Sequence, residues 1–435
     1  MIPDIKRRID QIRQGEIPEG YQKKSVGIIP QNWNKSFLGA IIKELSSGVS
    51  VNSDITIDTG IYVLKTSSVS EGKVDLHESK PIIPEDLKRV RCPVLQGTIL
   101  ISRMNTPMLV GECGYVNEGS NIHYLPDRLW QAINRSEKIC NFKWLNYLLN
   151  SDRYRTAIHA LGTGTSSSMK NISKEDFLTL AIAFPPLLEQ QKIAAILTTQ
   201  DKIIELKEKL LAEKQQQKKY LMQQLLTGKK RLPGFSGEWS MQPLSQLSKA
   251  ITKKTADEQY EVLSISAGIG FVNQCEKFGK QIAGEQYKNY IVISRGDFSY
   301  NKGNSKKYPQ GCIYPLESRE CAAVPNVFIS FTMQKNKCFW KYYKYLFENG
   351  WLNKQLYRLI NSGVRNDGLL NLSDKEFFNC FVPAPPFNEQ TAIAEILSTA
   401  DHEIGLLQKD IEQEKQKKKA LMQLLLTGIV RVYNG

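Results

Sequence analysis

The sequence predicts an α+β protein in which two similar globular domains alternate with two long helices that pair as an antiparallel coiled coil. Three observations predict this fold. Two 40-residue stretches repeat at an offset of 200 residues, both carry apolar residues at heptad spacing, and the segments between them mix strand-like runs with polar loops. A chain of 435 residues is long enough for two or three domains, each with its own core.

The repeat is clearest between residues 187–226 and 387–426. Aligned without a gap, these stretches share 19 identities in 40 positions. Each begins after a Pro-Pro pair and ends before Thr-Gly, which puts Gly228 and Gly428 where helix C-caps are expected. Neither stretch contains a proline, so each predicts one continuous helix about 60 Å long.

The apolar residues of these helices predict that the helices pair with each other. In the second helix the a and d positions of a heptad are taken by Ile393, Leu397, Ala400, Ile404, Leu407, Ile411, Leu421 and Leu425. The first helix has Ile193, Leu197, Ile204, Leu211, Leu221 and Leu225, with a stripe widened by Ile196, Ile203 and Leu210. Such stripes need a partner to be buried, and net charges of +2 and −2 favour the unlike helix. The alternative is that each helix packs only on its own domain.

The repeat sets the predicted domain boundaries. They are an N-terminal segment 1–20, a first domain 21–184, a first long helix 185–228, a second domain 229–384, a second long helix 385–428 and a tail 429–435. The two domains share only faint similarity, such as Asn171–Phe177 with Asn371–Phe377. Strand-like runs at 97–102 and 290–293 place both domains in the α+β class.

The charge indicates a polyanionic partner. The formal net charge is +14, and the two long helices cancel each other, so the excess lies on the domains and the tail. The eight cysteines and four histidines are scattered without metal-ligand spacing, which predicts no metal and no cofactor. We find no apolar run of membrane-spanning length and no signal-peptide pattern, so the expected location is the cytoplasm.

The motif Pro-Pro-x-x-Glu-Gln-x-x-Ile-Ala opens both helices, and both helices end in Leu-Met-Gln-x-Leu-Leu-Thr-Gly. With diverged basic domains between them, this pattern resembles the specificity subunit of type I restriction–modification systems. The resemblance implies that each domain is a target-recognition domain reading one half of a split DNA sequence. It also implies that the helices set the gap between the halves and hold methyltransferase subunits, expected in two copies, which endonuclease subunits join.

The sequence also predicts that the chain is not itself an enzyme. An adenine methyltransferase needs Asn/Asp-Pro-Pro-aromatic, but residues 184–187 and 384–387 read Phe-Pro-Pro-Leu and Ala-Pro-Pro-Phe. No Gly-rich cofactor loop follows a strand, and no GxxxxGK[ST] motif is present for ATP. The Gly-rich run 162–165 opens no helix, and we interpret it as a polar loop that DNA could order.

Loop residues of the types that read bases or phosphates are the expected DNA contacts. They are Arg103, Asn105 and Lys170 in the first domain, and Asn301, Lys302, Asn304, Lys306, Lys307 and Arg365 in the second. The cluster 302–307 is the strongest of these, and the alternative for each residue is an ordinary solvated side chain. The repeated helix ends predict subunit-interface residues, namely Leu221, Met222, Leu225, Leu421, Met422 and Leu425.

Three other functions fit parts of the sequence. A stand-alone architectural DNA-binding protein would share the charge and the coiled coil, but would have no need of two unlike domains on duplicated helices. A restriction–methylation enzyme in one chain would need the missing motifs. A protein-binding scaffold is disfavoured by net charges of +4 on residues 1–186 and +9 on residues 227–386.

Overall fold

The computed structural model describes residues 3–164, 169–256, 258–279, 284–303, 307–360 and 370–432. The chain divides into two compact units, Met1–Lys207 with Asp410–Gly435, and Glu208–Lys409. Each unit therefore contains one mixed domain and one half of each long helix.

The first unit is built on short strands and helices. Its strands are β1 Tyr21–Lys24, β2 Gly27–Pro30, β3 Asn34–Phe37, β4 Ile42–Ser47, β5 Tyr62–Leu64, β6 Val69–Ser70, β7 Gly72–Val74, β8 Ser79–Pro81, β9 Pro93–Val94, β10 Ile99–Ser102, β11 Met104–Asn105, β12 Cys113–Tyr115, β13 Ser120–Tyr124, β14 Leu129–Asn134, β15 Lys170–Asn171 and β16 Ala181–Phe184. Its helices are α1 Pro3–Arg13, α2 Leu38–Ile41, α3 Phe142–Leu149, α4 Asp152–Ala160 and α5 Lys174–Leu178, followed by the long helix α6 Leu187–Leu225, whose second half lies in the other unit.

Within its described residues, the second unit has fewer strands than the first. They are β17 Ser240–Pro243, β18 Ser248–Ala250, β19 Leu263–Ser266, β20 Gly270–Asn273, β21 Ile291–Ser294, β22 Phe298–Asn301, β23 Cys312–Pro315, β24 Cys321–Val324, β25 Ile329–Met333 and β26 Phe381–Ala384. Its helices are α7 Leu244–Leu247, α8 Gln274–Phe278, α9 Trp340–Glu348, α10 Asn353–Leu359 and α11 Asp374–Phe378, followed by the long helix α12 Phe387–Leu426, which ends in the first unit.

The two units repeat one sheet. The order β4-β14-β10-β12 in the first unit recurs as β18-β25-β22-β23 in the second, with all neighbours antiparallel. Strand β10 is buried along its whole length because it lies inside its sheet and consists of Ile-Leu-Ile-Ser. The prediction that both domains share one α+β fold is confirmed, and the first unit extends this sheet by β7 and β6.

The long helices end as the sequence predicts. Gly228 and Gly428 have φ values of 70° and 73°, a left-handed conformation that glycine adopts without a Cβ penalty. The amide of Lys230 then donates to the carbonyl of Gln224 at 3.2 Å, and the amide of Val430 donates to that of Leu424 at 3.0 Å.

The predicted antiparallel pairing of the helices is also confirmed, and it is visible inside each unit. In the first unit Asp201 of α6 pairs with Lys418 of α12, while Lys207, later in α6, pairs with the earlier residue Asp410. We define the seam as the a and d positions of both helices, namely residues 193, 197, 200, 204, 207, 211, 214, 218, 221 and 225, with their counterparts 200 residues later. Every seam position is buried or partly buried.

The predicted widening of the first stripe is wrong for two of its three residues. Ile196 is 36% exposed and Leu210 is 43% exposed. The spacing of apolar residues could not show that Ile196 and Leu210 lie outside the seam. Polar residues such as Gln200 and Lys207 occupy seam positions instead. Among the described residues, no helix has both the length and the apolar composition of a membrane-crossing segment.

Candidate nucleic-acid interface

Strand pairing brings the three predicted DNA contacts of the first unit together. Strand β11 pairs with β15 so that Asn105 lies opposite Lys170 and Met104 opposite Asn171. Next to this pair, the amide of Ile172 donates to the carbonyl of Arg103 at 2.9 Å. The loop that follows the central strand is therefore tied to the segment that precedes α5.

All three side chains already have partners inside the chain. Arg103 donates from Nε to the carbonyl of Asp127 at 2.8 Å. The Asn105 amide bridges its own loop, because Nδ2 donates to Ser102 Oγ at 3.1 Å and Oδ1 accepts from the amide of Thr106 at 2.8 Å. Lys170 Nζ donates to the carbonyl of Gly164 at 2.7 Å. These bonds hold the side chains in place before any ligand arrives.

Two further features of this loop were missed from sequence. Met108 is 76% exposed and Leu109 is 42% exposed at its tip, next to Asn105. The Oδ1 atom of Asn171 is buried and has no hydrogen-bond partner among the described residues. The sequence did contain a signal for each feature. Met108 and Leu109 are apolar residues in an otherwise polar loop, and Asn171 recurs as Asn371 in the repeat.

The second unit repeats the tie between loop and helix. The amide of Leu370 donates to the carbonyl of Lys302 at 2.9 Å, as Ile172 does to Arg103 in the first unit. Asn301 Oδ1 accepts from the amide of Gly303 at 2.9 Å. Lys307 is exposed, and its Nζ lies 5.9 Å from the ring centre of Tyr308. The predicted contacts Asn304, Lys306 and Arg365 lie outside the described residues.

The Glu-Gln pair that opens each long helix is a structural anchor. In the first unit Glu189 is buried; it accepts from Trp33 Nε1 at 2.8 Å and from Arg431 Nε and Nη2 at 2.7 and 2.8 Å. Gln190 is fully buried, donates to the carbonyl of Pro185 at 2.9 Å and accepts from the amide of Asn141 at 2.8 Å. The motif therefore fixes the start of the helix to the domain and to the tail.

The second unit repeats the same anchor. Glu389 is fully buried and accepts from Trp239 Nε1 at 3.0 Å and from Arg231 Nε and Nη2 at 2.7 and 2.8 Å. Gln390 donates to the carbonyl of Pro385 at 2.8 Å and accepts from the amide of Phe339 at 2.8 Å. A bidentate arginine with a tryptophan donor satisfies both carboxylate oxygens, so the buried charge is fully paired.

A second repeated cluster joins each domain to the helices. Tyr147 donates to Asp201 Oδ2 at 2.6 Å, and Lys418 Nζ lies 2.6 Å from Asp201 Oδ1. In the second unit Tyr345 donates to Asp401 Oδ2 at 2.8 Å, and Lys218 Nζ lies 2.7 Å from Asp401 Oδ1. Burial, and then the hydrogen bond to the aspartate, raise the pKa of both tyrosines, which therefore remain donors.

The predicted subunit-interface residues lie in or against the chain's own cores. Met222 and Leu225 are 6% and 2% exposed within the core of the second unit, and Leu425 is 3% exposed within that of the first. Leu221, Leu421 and Met422 are partly buried against the same cores. Their structural role is to fix the helix ends to the domains, and their role towards a partner stays a prediction.

Other apolar residues of the helices are exposed instead, and the repeat retains them. Ile196 and Ile396 are each 36% exposed, while Leu206 and Leu406 are 56% and 53% exposed. We call these four residues the outer apolar pairs. The signal for them was present in the alignment, because both pairs are identical in the two helices although they lie outside the seam.

The described residues contain no cluster of His, Cys, Asp or Glu side chains that could hold a metal ion. The chemistry that the loops offer is that of guanidinium, ammonium and amide groups, together with an exposed methionine. Guanidinium, ammonium and amide groups can bind phosphates and base edges, and an apolar side chain can contact a thymine methyl group.

Comparison with known proteins gives concordant results. Residues 30–216 match the family model described as the type I restriction modification DNA specificity domain. A protein of Methanocaldococcus jannaschii named for the MjaX type I restriction enzyme specificity subunit is 23% identical over 95% of this chain and 97% of its own length. The MjaVIII type I restriction enzyme specificity subunit of the same organism is 26% identical over 69% of this chain and 73% of its own.

Solved structures share the fold. The S subunit of a type I restriction–modification system from M. genitalium superposes with a TM-score of 0.55 at 16% identity, covering 91% of this chain and 96% of that one. A chain from a structure describing complex assembly and conformational transition of a type I system gives 0.54 at 15% identity, covering 92% and 99%.

Proposed function

We propose that this chain, which belongs to the specificity subunits of type I restriction–modification systems, binds a bipartite DNA target and directs partner enzymes to it. The observation that carries the proposal is the repeated frame. Both units tie the loop after the same sheet strand to the segment before a short helix, through Arg103 in one and Lys302 in the other, yet the loop residues differ. One frame with two sets of loop residues is what two unlike half-sites require.

In this proposal the domains 21–184 and 229–384 are the target-recognition domains. Arg103, Asn105 and Lys170 contact one half-site, and Asn301, Lys302 and Lys307 contact the other, together with the predicted residues Asn304, Lys306 and Arg365. The existing bonds of Arg103 and Asn105 leave the loop rigid, which reduces the entropy lost on binding. The exposed tip at Met108 supplies an apolar surface of the kind that contacts thymine methyl groups.

The helices bind the partner subunits in this proposal. The outer apolar pairs are the favoured contact, because they are exposed and identical in both helices. Two equivalent surfaces would hold two methyltransferase copies, and endonuclease subunits would join through them. The buried residues Met222, Leu225 and Leu425 support this surface by fixing the helix ends, and Leu221, Leu421 and Met422 are partly buried beside them.

The chain itself performs no chemistry in this proposal, because it lacks the methyltransferase and nucleotide-binding motifs. The purified chain is incubated with DNA and the methyl donor, with and without its methyltransferase partner, and the DNA is sequenced with methylation detection. We expect no methylation from the chain alone. With the partner we expect methylation at one bipartite sequence; robust methylation by the chain alone, or methylation without sequence preference, overturns the proposal.

A stand-alone architectural DNA-binding protein is the second function considered. The outer apolar pairs count against it, because two equivalent partner contacts would explain why both helices retain the same exposed residues. Co-purification with a methyltransferase subunit separates the two functions. An architectural protein would bind DNA without preference and would not retain the subunit.

A further inference from the structure

The duplication of the helices creates a problem of partner choice. Five seam positions carry the same apolar residue in both helices: Ile193 with Ile393, Leu197 with Leu397, Ile204 with Ile404, Leu221 with Leu421 and Leu225 with Leu425. A second copy of the chain therefore offers α6 another α6 with the same apolar stripe. Apolar contact alone cannot distinguish the correct partner from this copy.

The seam positions that differ in chemistry carry polar residues that match only the unlike helix. In the first unit Gln200 is 4% exposed and its Nε2 donates to Glu414 Oε2 at 2.7 Å. Lys207 Nζ lies 3.0 Å from Glu414 Oε1 and 2.8 Å from Asp410 Oδ2. Hydrogen bonds from Gln200 and then from Lys207 hold the pKa of the Glu414 carboxyl at about 2, so it remains charged beside them.

The second unit uses a different set at the equivalent positions. Here the counterparts of Gln200 and Lys207 are Ala400 and Leu407, and the counterpart of Glu414 is Lys214. Lys214 Nζ lies 2.8 Å from Glu403 Oε2, and the counterpart of Glu403 in α6 is the apolar Ile203. The polar contacts between α6 and α12 therefore differ between the two units.

The contacts of a like-with-like pair follow from the same alignment. If α6 paired with a second α6, Lys207 would meet Lys214 where it now meets Glu414, and Leu210 where it now meets Asp410. If α12 paired with a second α12, Glu414 would meet Glu403 together with Ala400 and Leu407. Each wrong pair lacks these ion pairs and brings like charges together within or beside the partly buried seam, which is unfavourable.

We infer that the residues at positions 200, 203, 207, 210 and 214 of α6 and at their counterparts in α12, each pair polar in at least one helix, make α6 and α12 select each other and reject a second copy of themselves. The seam is an interaction surface whose fitting partner is the unlike helix. The inference concerns the helices alone and does not depend on what the domains bind.

The test exchanges these five residues between the helices of the full-length chain. The first variant gives α12 the residues of α6: Ala400→Gln, Glu403→Ile, Leu407→Lys, Asp410→Leu and Glu414→Lys. The second gives α6 the residues of α12: Gln200→Ala, Ile203→Glu, Lys207→Leu, Leu210→Asp and Lys214→Glu. The third carries all ten changes, so that each helix has the other's residues.

We expect the first and second variants to melt at least about 5 °C below the natural chain, because both their helices carry the same polar set. The third variant should return to within about 2 °C of the natural chain, because the matched contacts are restored in exchanged units. If these residues only supported their own helix or domain, the loss of melting temperature in the third variant would be the sum of the losses in the first and second variants. A third variant as unstable as the sum of the other two, or one that fails to fold, overturns the inference.

A matched control moves two exposed residues from α6 into α12 on the outer side of the helix: Glu412→Ala and Gln413→Glu. Both positions are exposed. This variant should keep the melting temperature of the natural chain. A loss equal to that of the first variant would show that any exchange between the helices is harmful, and would also overturn the inference.

Discussion

At the scale of single residues, the proposal assigns part of the DNA affinity to the loop of the second unit. Lys302 and Lys307 flank the segment 304–306, and the backbone of Lys302 is fixed by the amide of Leu370. A lysine on a phosphate contributes through the release of counterions, which depends on the salt concentration. The side chains therefore contribute to affinity in proportion to the phosphates they neutralise.

Replacing Lys302 and Lys307 by alanine should lower the slope of log affinity against log salt by about 0.9 for each phosphate that is no longer neutralised. Binding to a fluorescent DNA duplex at several salt concentrations measures this slope. Lys335→Ala is the control, because Lys335 is an exposed lysine in the turn after β25, away from the loop. A slope equal to that of the control would place the DNA-binding surface elsewhere.

The Glu414 carboxyl gives the first unit an acid-sensitive component of stability. Hydrogen bonds from Gln200 and Lys207 hold its folded pKa at about 2, below its ordinary value of 4.5. A group with a depressed folded pKa stabilises the fold above its unfolded pKa, and this stabilisation is lost as the pH falls through the folded value. The sensitive window therefore runs from about pH 4.5 down to about pH 2.

In Glu414→Gln the melting temperature should depend less on pH across this window than in the natural chain, and the variant should be less stable at pH 7. Calorimetric melts between pH 7 and pH 2 compare the two proteins. Glu412→Gln serves as the control, since Glu412 is exposed on the same helix. Parallel melting curves for Glu414→Gln and the natural chain would contradict the assignment.

At the scale of elements, each long helix has two apolar surfaces with different uses. The seam is buried within the chain, and the outer apolar pairs are exposed. A helix that is apolar on two sides needs a partner on each to bury both. The proposed methyltransferase contact gives the second surface its partner.

The double substitution of Leu206 and Leu406 by aspartate should weaken methyltransferase binding by roughly tenfold or more while leaving the melting temperature nearly unchanged. Titration calorimetry measures the binding, and a thermal melt measures the fold. Leu225→Asp is the contrasting variant. It puts a charge into the core of the second unit, so it should lower the melting temperature, unlike the double variant. Full binding by the double variant would exclude the outer leucines from the interface.

At the scale of the whole molecule, the two units are joined through the middle of both helices. The boundaries fall after Lys207 in α6 and after Lys409 in α12. The ion pairs described for the seam lie inside one unit or the other. Lengthening both helices at these boundaries therefore leaves the contacts of each unit intact.

Inserting four helix-forming residues after Lys207 and four after Lys409 adds about 6 Å to each helix. If each unit reads one half-site, the gap between the half-sites should grow by about one or two base pairs of about 3.4 Å. The bases read in each half should stay the same. Some loss of activity is expected, because the turn of the DNA helix also rotates each half-site.

Methylation-aware sequencing with the partner methyltransferase measures the gap. The single insertion after Lys207 is the control, and it should destabilise the protein because it displaces α6 along α12. Unchanged half-sites with a longer gap support the proposal. Altered half-site bases, or an unchanged gap at full activity, would refute it.

The sequence alone determined the repeat, the two long helices, their antiparallel pairing and the resemblance to type I specificity subunits. These features are recognised from the apolar periodicity and from identical residues at a fixed offset. Both patterns can be seen without knowing which residues are in contact in the fold. The shared fold of the two domains was visible in the same way, from a few returning residues such as Asn171 and Asn371.

Only the tertiary structure decided which polar side chains enter the seam. Gln200, Lys207 and Glu414 look like ordinary solvated helix residues in the sequence. Their burial depends on partners more than 200 residues away. The same holds for Arg431, a tail residue that completes the anchor of Glu189. Such pairs follow from side-chain geometry across the fold, and no local pattern encodes that geometry.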